Sequence, residues 1–114
     1  LSDAKAQLKE LLSDSIRLRL RSDVPVGAFL SGGIDSSLVV ALAQRELSQP
    51  IQTFSIGFSE ADFDETQFAQ QVAEHVGTTH QRFEVTPDAL DIVDKLSYQY
   101  DEPFSDSSAV PTWY

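Results

Sequence analysis

The sequence predicts an α/β fold in which a parallel sheet is flanked by helices. Two observations lead to this class: short apolar or β-branched runs, and helical runs that alternate with them along the 114 residues. A strand, helix, strand, helix, strand, helix order at this spacing is typical of right-handed βαβ crossovers. Ligands of such sheets bind beyond the carboxyl ends of the strands, so the residues there are the candidates for a site.

The first part of the chain contains a helix, a strand and a second helix. Residues 1–22 predict a leading amphipathic helix, which ends before the break at Asp23-Val24-Pro25. Residues 26–30 are apolar throughout, a pattern typical of a strand buried on both faces. A helix is predicted from about residue 36 to 47, so 26–48 forms a strand, turn and helix unit. The face of the leading helix that we expect to be buried carries Leu8, Leu11, Leu12, Ser15 and Ile16.

Two further strand and helix units are predicted over residues 51–99. Their strands cover 51–58 and 80–85, which are rich in β-branched and aromatic residues. A capping-box-like start at 64–67 opens the helix between these strands, and Gly77 closes it. The apolar face of that helix carries Phe68, Val72 and Val76.

The last predicted helix leads into a segment of different composition. Thr86 and Pro87 are typical of a helix N-cap and first helical residue. Residues 100–114, rich in Pro, Ser, Asp and aromatic residues, predict a loop or a loosely helical lid. The expected apolar face of the helix carries Leu90, Val93 and Leu96. The acidic residues of the segment, which fit either a solvated loop or a wall of a substrate pocket, are Asp101, Glu102 and Asp106.

Composition excludes several classes of function. A net charge of −10 argues against a nucleic-acid partner, because such proteins carry basic patches. No run approaches the length of a membrane span, and no signal peptide is visible, so we expect no membrane partner. The absence of cysteine removes disulfides and thiolate metal sites, which fits a cytoplasmic protein.

The glycine-rich turn at residues 31–37 is the strongest candidate for a site. It follows the first apolar strand and precedes a helix, so glycines there let a backbone approach an anion and helix N–H groups point at it. The serine hydroxyls offer further donors, and Asp35 is suited to hold the magnesium ion of a polyphosphate. It lacks the lysine of the P-loop and the G-x-G-x-x-G of the dinucleotide fingerprint. The competing interpretation is a turn capped by Asp or Ser with no ligand.

The run S-G-G-I-D-S at residues 31–36 resembles the S-G-G-x-D-S motif of the PP-loop ATP pyrophosphatases. The flanks at 19–27 and 37–39, with the run D-E-P-F-S-D-S-S at 101–108, resemble the synthetase domain of glutamine-hydrolysing asparagine synthases. The resemblance implies a Rossmann-like adenine nucleotide alpha hydrolase fold, whose sheet runs 3-2-1-4-5. It also implies that this chain is a fragment carrying strands 1 to 3, the N-terminal half of that fold.

The family's reaction is the activation of a carboxylate by ATP, with loss of pyrophosphate, followed by attack of ammonia on the acyl-adenylate. The resemblance implies ATP and Mg²⁺ at this site, with Asp35 as the metal ligand and with Asp35, Ser31 and Ser36 nearest the chemistry. It also implies that strand ends hold the adenosine, largely by backbone groups. The implied pyrophosphate-binding residues are Ser31, Gly32, Gly33, Asp35, Ser36 and Ser37, and the implied adenosine-binding residues are Phe29, Leu30, Ile56 and Gly57.

The resemblance also implies partners and alternatives. The expected substrates are ATP and a small carboxylic acid, aspartate in asparagine biosynthesis, with ammonia supplied by a glutaminase domain of the parent chain. Two alternatives stay open: a related amidotransferase that activates another carboxylate, and a non-catalytic module that binds adenine nucleotides. The family's downstream S-G-[ED]-G-x-D-E signature is absent, so we expect the fragment alone to be inactive. We also expect self-association through the exposed edge of the first strand, and structural roles for His75 and His80.

Overall fold

The computed structural model describes residues 2–58, 66–86, 89–102 and 109–113. Five helices and three strands lie within these residues. The start of the predicted capping box at Asp64 and Glu65 lies outside the described residues, as do Pro87 and Asp106. The elements are α1 (Ser2–Arg19), β1 (Gly27–Phe29), α2 (Ile34–Glu46), β2 (Gln52–Phe58), α3 (Thr66–Val76), β3 (Thr79–Val85), α4 (Ala89–Tyr100) and α5 (Ala109–Trp113).

The three strands form one parallel sheet in the order β1-β2-β3. Ala28 pairs with Thr53 and Thr53 pairs with His80, so the register is continuous across the sheet. Each strand is reached through a helix, which confirms the predicted α/β class and its strand and helix alternation. The carboxyl ends of β1 and β2 therefore lie at the same edge of the sheet, where the predicted site residues are.

The hydrophobic core lies between the helices and one face of the sheet. Thr53 and Ser55 of β2 point into this layer, where they are 0% and 4% exposed. Alternate residues of a strand point to opposite faces, and the other face leaves Phe29 70% and Phe83 49% exposed. The core residues are Ile16, Leu30, Val40, Leu42, Ala43, Ile51, Ala69 and Ala73.

The prediction that the first strand is buried on both faces was wrong. Leu30 is buried, Ala28 is half-buried, and both Gly27 and Phe29 are exposed. Gly27 and Phe29 lie on the face of β1 that points away from the core, and no other part of the described chain covers them. The apolar run therefore belongs to a strand with one buried face.

Several large apolar residues of the helices are exposed, and other residues of the same helices are buried instead. In α1, Leu8 and Leu11 are exposed, because only its second half packs against α2. In α3, Phe68 is 60% exposed, whereas Ala69 and Ala73 are buried. The small alanines face inward because α3 packs closely against its neighbours. Val93 of α4 is also exposed, and Ile92 takes the buried position.

The end of the chain is more helical than the sequence suggested. α4 continues to Tyr100, and Asp101 follows with a left-handed φ of 54°. A short helix, α5, occupies part of the segment expected to be a loop or lid. A cavity of about 350 Å³ lies between α4 and α5, lined by residues such as Leu96 and Trp113. Across the described ranges, none of the helices has the length and apolarity needed to cross a bilayer.

Candidate nucleotide site

The turn between β1 and α2 is held in one conformation by its own hydrogen bonds. Ser36 Oγ donates its one hydrogen to the Gly33 carbonyl oxygen over 3.2 Å. In the contact of 3.0 Å between the two hydroxyls, Ser36 Oγ is therefore the acceptor and the Ser31 hydroxyl is the donor. The Gly33 N–H in turn donates to Ser31 Oγ over 3.3 Å. A closed ring of bonds through these residues therefore shapes the loop independently of any ligand.

Gly32 is required by both its backbone and its packing. Its φ of +83° lies in the left-handed region, which residues with a Cβ rarely adopt. A Cβ added there would lie 2.5 Å from Phe68 Cβ and 2.6 Å from the Ala69 nitrogen. The loop thus packs directly on the first turn of α3, and the glycine makes this approach sterically possible.

The N-terminus of α2 lies directly after this loop and has no side-chain cap. Gly33 is the N-cap residue, and because it has no side chain it makes no side-chain cap hydrogen bond. The Ser37 N–H bonds to the Gly33 carbonyl oxygen over 3.0 Å, which leaves the earlier helix N–H groups without intrahelical partners. The competing interpretation requires an Asp or Ser residue at the N-cap, and this helix has Gly33 there. Uncapped N–H groups with the helix dipole behind them favour an anion.

Ser37 carries a buried polar group near this end of the helix. Its hydroxyl oxygen is buried and has no hydrogen-bond partner among the described residues. A buried hydroxyl normally has a partner, because leaving one unpaired costs about 1–3 kcal/mol. Because this oxygen is closed off from solvent, a phosphate could reach it only after neighbouring side chains move, so the pyrophosphate-binding role of Ser37 stays a prediction.

Asp35 lies in the first turn of α2, and its side chain is exposed. No group of three or more His, Cys, Asp or Glu side chains lies close enough to form a metal site within the part of the chain that the structure describes. Mg²⁺ is commonly bound by one or two carboxylates together with phosphate oxygens and waters. Asp35 beside an anion-binding helix end fits that mode of binding, and its role as ligand stays a prediction.

The predicted adenosine-binding residues lie near the carboxyl ends of β1 and β2, but their environments differ. The Leu30 N–H donates to the Phe54 carbonyl oxygen over 2.8 Å, and the whole residue is 1% exposed, so little of it is accessible to a ligand. Ile56 is half-buried and Gly57 is buried near the end of β2. Phe29 is exposed on the face opposite to the core. Among Leu30, Ile56 and Gly57, Ile56 is therefore the most accessible, and adenosine binding by these residues stays a prediction.

The two histidines differ in their surroundings. His75 is exposed near the end of α3. His80 contacts two hydroxyls of β2, with Nδ1 3.0 Å from Thr53 Oγ1 and Nε2 3.1 Å from Ser55 Oγ. Burial lowers the pKa of His80 below its ordinary value, which favours a neutral ring. Thr53 and Ser55 are site residues that the sequence motifs do not single out, although hydroxyl residues two apart on a strand share a face.

Comparisons with known proteins agree with this geometry. The asparagine synthase family profile matches residues 7–114. A Methanocaldococcus jannaschii protein that carries an asparagine synthetase name is 47% identical over 92% of this chain and 21% of its own length. Asparagine synthetase (glutamine-hydrolyzing) 1 of Bacillus subtilis is 35% identical over 95% of this chain and 17% of its own length. The chain thus spans about a fifth of the length of these relatives.

A solved structure shows the same fold at low identity. The NH3-dependent NAD synthetase of Campylobacter jejuni matches 95% of this chain and 45% of its own, with a TM-score of 0.58 and 18% identity. The described sheet and helices therefore have the adenine nucleotide alpha hydrolase fold. With the family match over nearly all residues and the loop geometry at α2, the chain belongs to the asparagine synthase family.

Proposed function

We propose that this chain forms the nucleotide-binding part of an ATP-dependent ligase of the asparagine synthase type. In this reaction an aspartate side-chain carboxylate attacks the α-phosphorus of ATP, the α–β phosphoanhydride bond breaks, and pyrophosphate leaves. Ammonia derived from glutamine then attacks the acyl carbon, and AMP leaves with the bonding electrons. The observation that carries the proposal is the uncapped N-terminus of α2 behind the hydrogen-bonded serine loop.

The chain's own residues contribute binding and orientation. The first N–H groups of α2 are suited to bind the pyrophosphate end of ATP and to stabilise charge as it leaves. The ring of bonds through Ser31, Gly33 and Ser36 keeps these donors in place, which lowers the cost of reorganisation. Mg²⁺, held by Asp35, would neutralise charge on the phosphates. Backbone groups of Ile56 and Gly57 would fix the adenosine.

An ATP–pyrophosphate exchange assay on the complete protein that contains this chain tests the proposal. Exchange that depends on aspartate supports it, because the assay reports reversible formation of the acyl-adenylate. Exchange with another carboxylic acid, and none with aspartate, would instead indicate a related amidotransferase. Binding of ATP without exchange in the presence of any candidate carboxylic acid would indicate a nucleotide-binding module and contradict the ligase proposal.

The Asp35→Ala variant tests the role of the loop in that assay. We expect it to lose magnesium-dependent ATP binding and exchange, because the carboxylate that shares the cation is removed. We expect its thermal unfolding to match the wild type, because the Asp35 side chain is exposed. Asp94→Ala, which removes an exposed carboxylate of α4, is the matched control. Unchanged MgATP affinity in Asp35→Ala would contradict the assignment.

A further inference from the structure

A chain of polar side chains joins β2 and β3 beneath the helices. The His80 ring contacts Thr53 Oγ1 and Ser55 Oγ, and Thr53 Oγ1 lies 2.8 Å from Thr78 Oγ1. We call these four residues the imidazole bridge. Thr53 of β2 and His80 of β3 are register partners, so the His80 ring lies alongside β2. The ring contacts Thr53 and Ser55, which lie on the same face of that strand.

The imidazole bridge is suited to a fixed geometry. Thr53 and Ser55 are almost completely buried, so their hydroxyls depend on the bridge for hydrogen bonds. A neutral imidazole offers one donor and one acceptor, and each hydroxyl both donates and accepts, so either tautomer completes the contacts. Thr78 is anchored in turn, because its N–H bonds to the Ala73 carbonyl oxygen over 3.0 Å at the end of α3.

The bridge lies next to both parts of the candidate nucleotide site. Ser55 directly precedes Ile56 and Gly57, the predicted adenosine positions. Phe54, which separates the two bridged hydroxyl residues, accepts the Leu30 N–H just before the serine loop begins. The bridge is therefore a side-chain link from β3 to the strand end at which the adenosine is expected.

We propose that His80 is a positioning residue that sets the place of the Ile56–Gly57 backbone and thereby the affinity for the adenosine part of ATP. The inference rests on the proposed function. Backbone groups cannot change rotamer to follow a displaced ligand, and hydrogen bonds weaken when their distances leave a narrow range. A small shift at the end of β2 therefore acts directly on adenosine binding. The serine loop has its own ring of bonds, so pyrophosphate binding does not depend on the bridge.

Calorimetric titration of the complete protein with MgATP and, separately, with magnesium pyrophosphate tests this. Ser55→Ala removes the hydroxyl at the end of the bridge, and His80→Asn retains an amide only near the position of Nδ1. We expect each variant to weaken MgATP binding about tenfold, which is the effect of weakening one or two hydrogen bonds between the β2 backbone and the adenosine. We expect pyrophosphate affinity to change by less than about twofold.

His80→Gln is the rescue variant, because its longer amide can reach Ser55 and offers a donor and an acceptor. We expect MgATP affinity within about threefold of the wild type for this variant. His75→Gln, the same change at the exposed histidine of α3, is the matched control. If His80→Asn fails to fold by circular dichroism, Ser55→Ala carries the test, since it only shortens a side chain.

The outcomes separate the two proposals. Wild-type MgATP affinity in both Ser55→Ala and His80→Asn would overturn the positioning role, and so would an equal loss of MgATP and pyrophosphate affinity. Selective loss of MgATP affinity with rescue by His80→Gln supports it. If the wild-type protein binds neither MgATP nor pyrophosphate, the proposed function itself is wrong, and the positioning role is overturned with it.

Discussion

Two neighbouring glycines of the serine loop have different physical roles. Gly32 has a left-handed φ and contacts the backbone of α3, so it is needed for folding. Gly33 has an ordinary extended conformation, and a Cβ there would meet only Ser31 Oγ at 3.3 Å. Its other surroundings are open, which is what close approach of a phosphate to the backbone needs. The motif shows two glycines, and only the coordinates separate packing from ligand access.

This difference predicts opposite effects of substitution. We expect Gly32→Ala to lower the free energy of unfolding by about 2–5 kcal/mol, through backbone strain and overlap with α3. Gly33→Ala should lower it by only about 1 kcal/mol, because alanine is a poorer N-cap residue than glycine. Gly33→Val should keep the fold but weaken pyrophosphate binding at least about tenfold, since its side chain fills the space for the anion. Chemical denaturation and calorimetry measure these quantities; equal destabilisation by both alanine variants would contradict the assignment.

At the scale of elements, the first helix is attached through its second half. Ile16 is buried against α2, whereas Leu11 is 69% exposed. Arg17 pairs with Glu46 of α2 over 3.0 Å and lowers the pKa of that carboxyl group. Both side chains are accessible to solvent, so this ion pair adds orientation more than stability. Apolar burial at Ile16 is therefore the main attachment of α1.

Substitutions along α1 test that attachment. Ile16→Ala should lower the free energy of unfolding by about 2–4 kcal/mol, because it leaves a cavity between α1 and α2. Leu11→Ala, on the same helix but exposed, should change it by less than about 0.5 kcal/mol. Urea denaturation followed by circular dichroism measures both. Similar midpoints for the two variants would show that α1 is not held by Ile16.

At the scale of the molecule, the described sheet has one open face, and β1 forms one of its two edges. Phe29 is exposed on β1, and Phe54 and Phe83 stack beside it with ring centroids 6.1 Å apart. Gly27 allows this arrangement, since a Cβ there would lie 2.6 Å from Phe54. Unpaired backbone groups beside exposed aromatic rings are a template for association with another chain.

We predict that the 114-residue chain self-associates through this edge in solution. Sedimentation velocity over a series of concentrations should show species larger than the monomer. Phe29→Lys should shift the distribution toward monomer, because a charge at the edge opposes strand pairing. Leu11→Lys, at an equally exposed apolar residue of α1, should not. A monomer at every concentration would contradict the prediction.

The sequence alone was sufficient for the parallel α/β class, the order of its elements and the glycine- and serine-rich turn between β1 and α2, because these follow from local periodicity and from glycine and serine chemistry. The sequence did not predict which residues are buried: Phe68 is exposed whereas Ala69 is buried, and β1 has one open face. It also missed the imidazole bridge, whose hydrogen-bonded pairs are 25 to 27 residues apart along the chain. Periodicity describes one element at a time, whereas close packing and cross-strand register depend on which elements meet. Only the tertiary structure decides that.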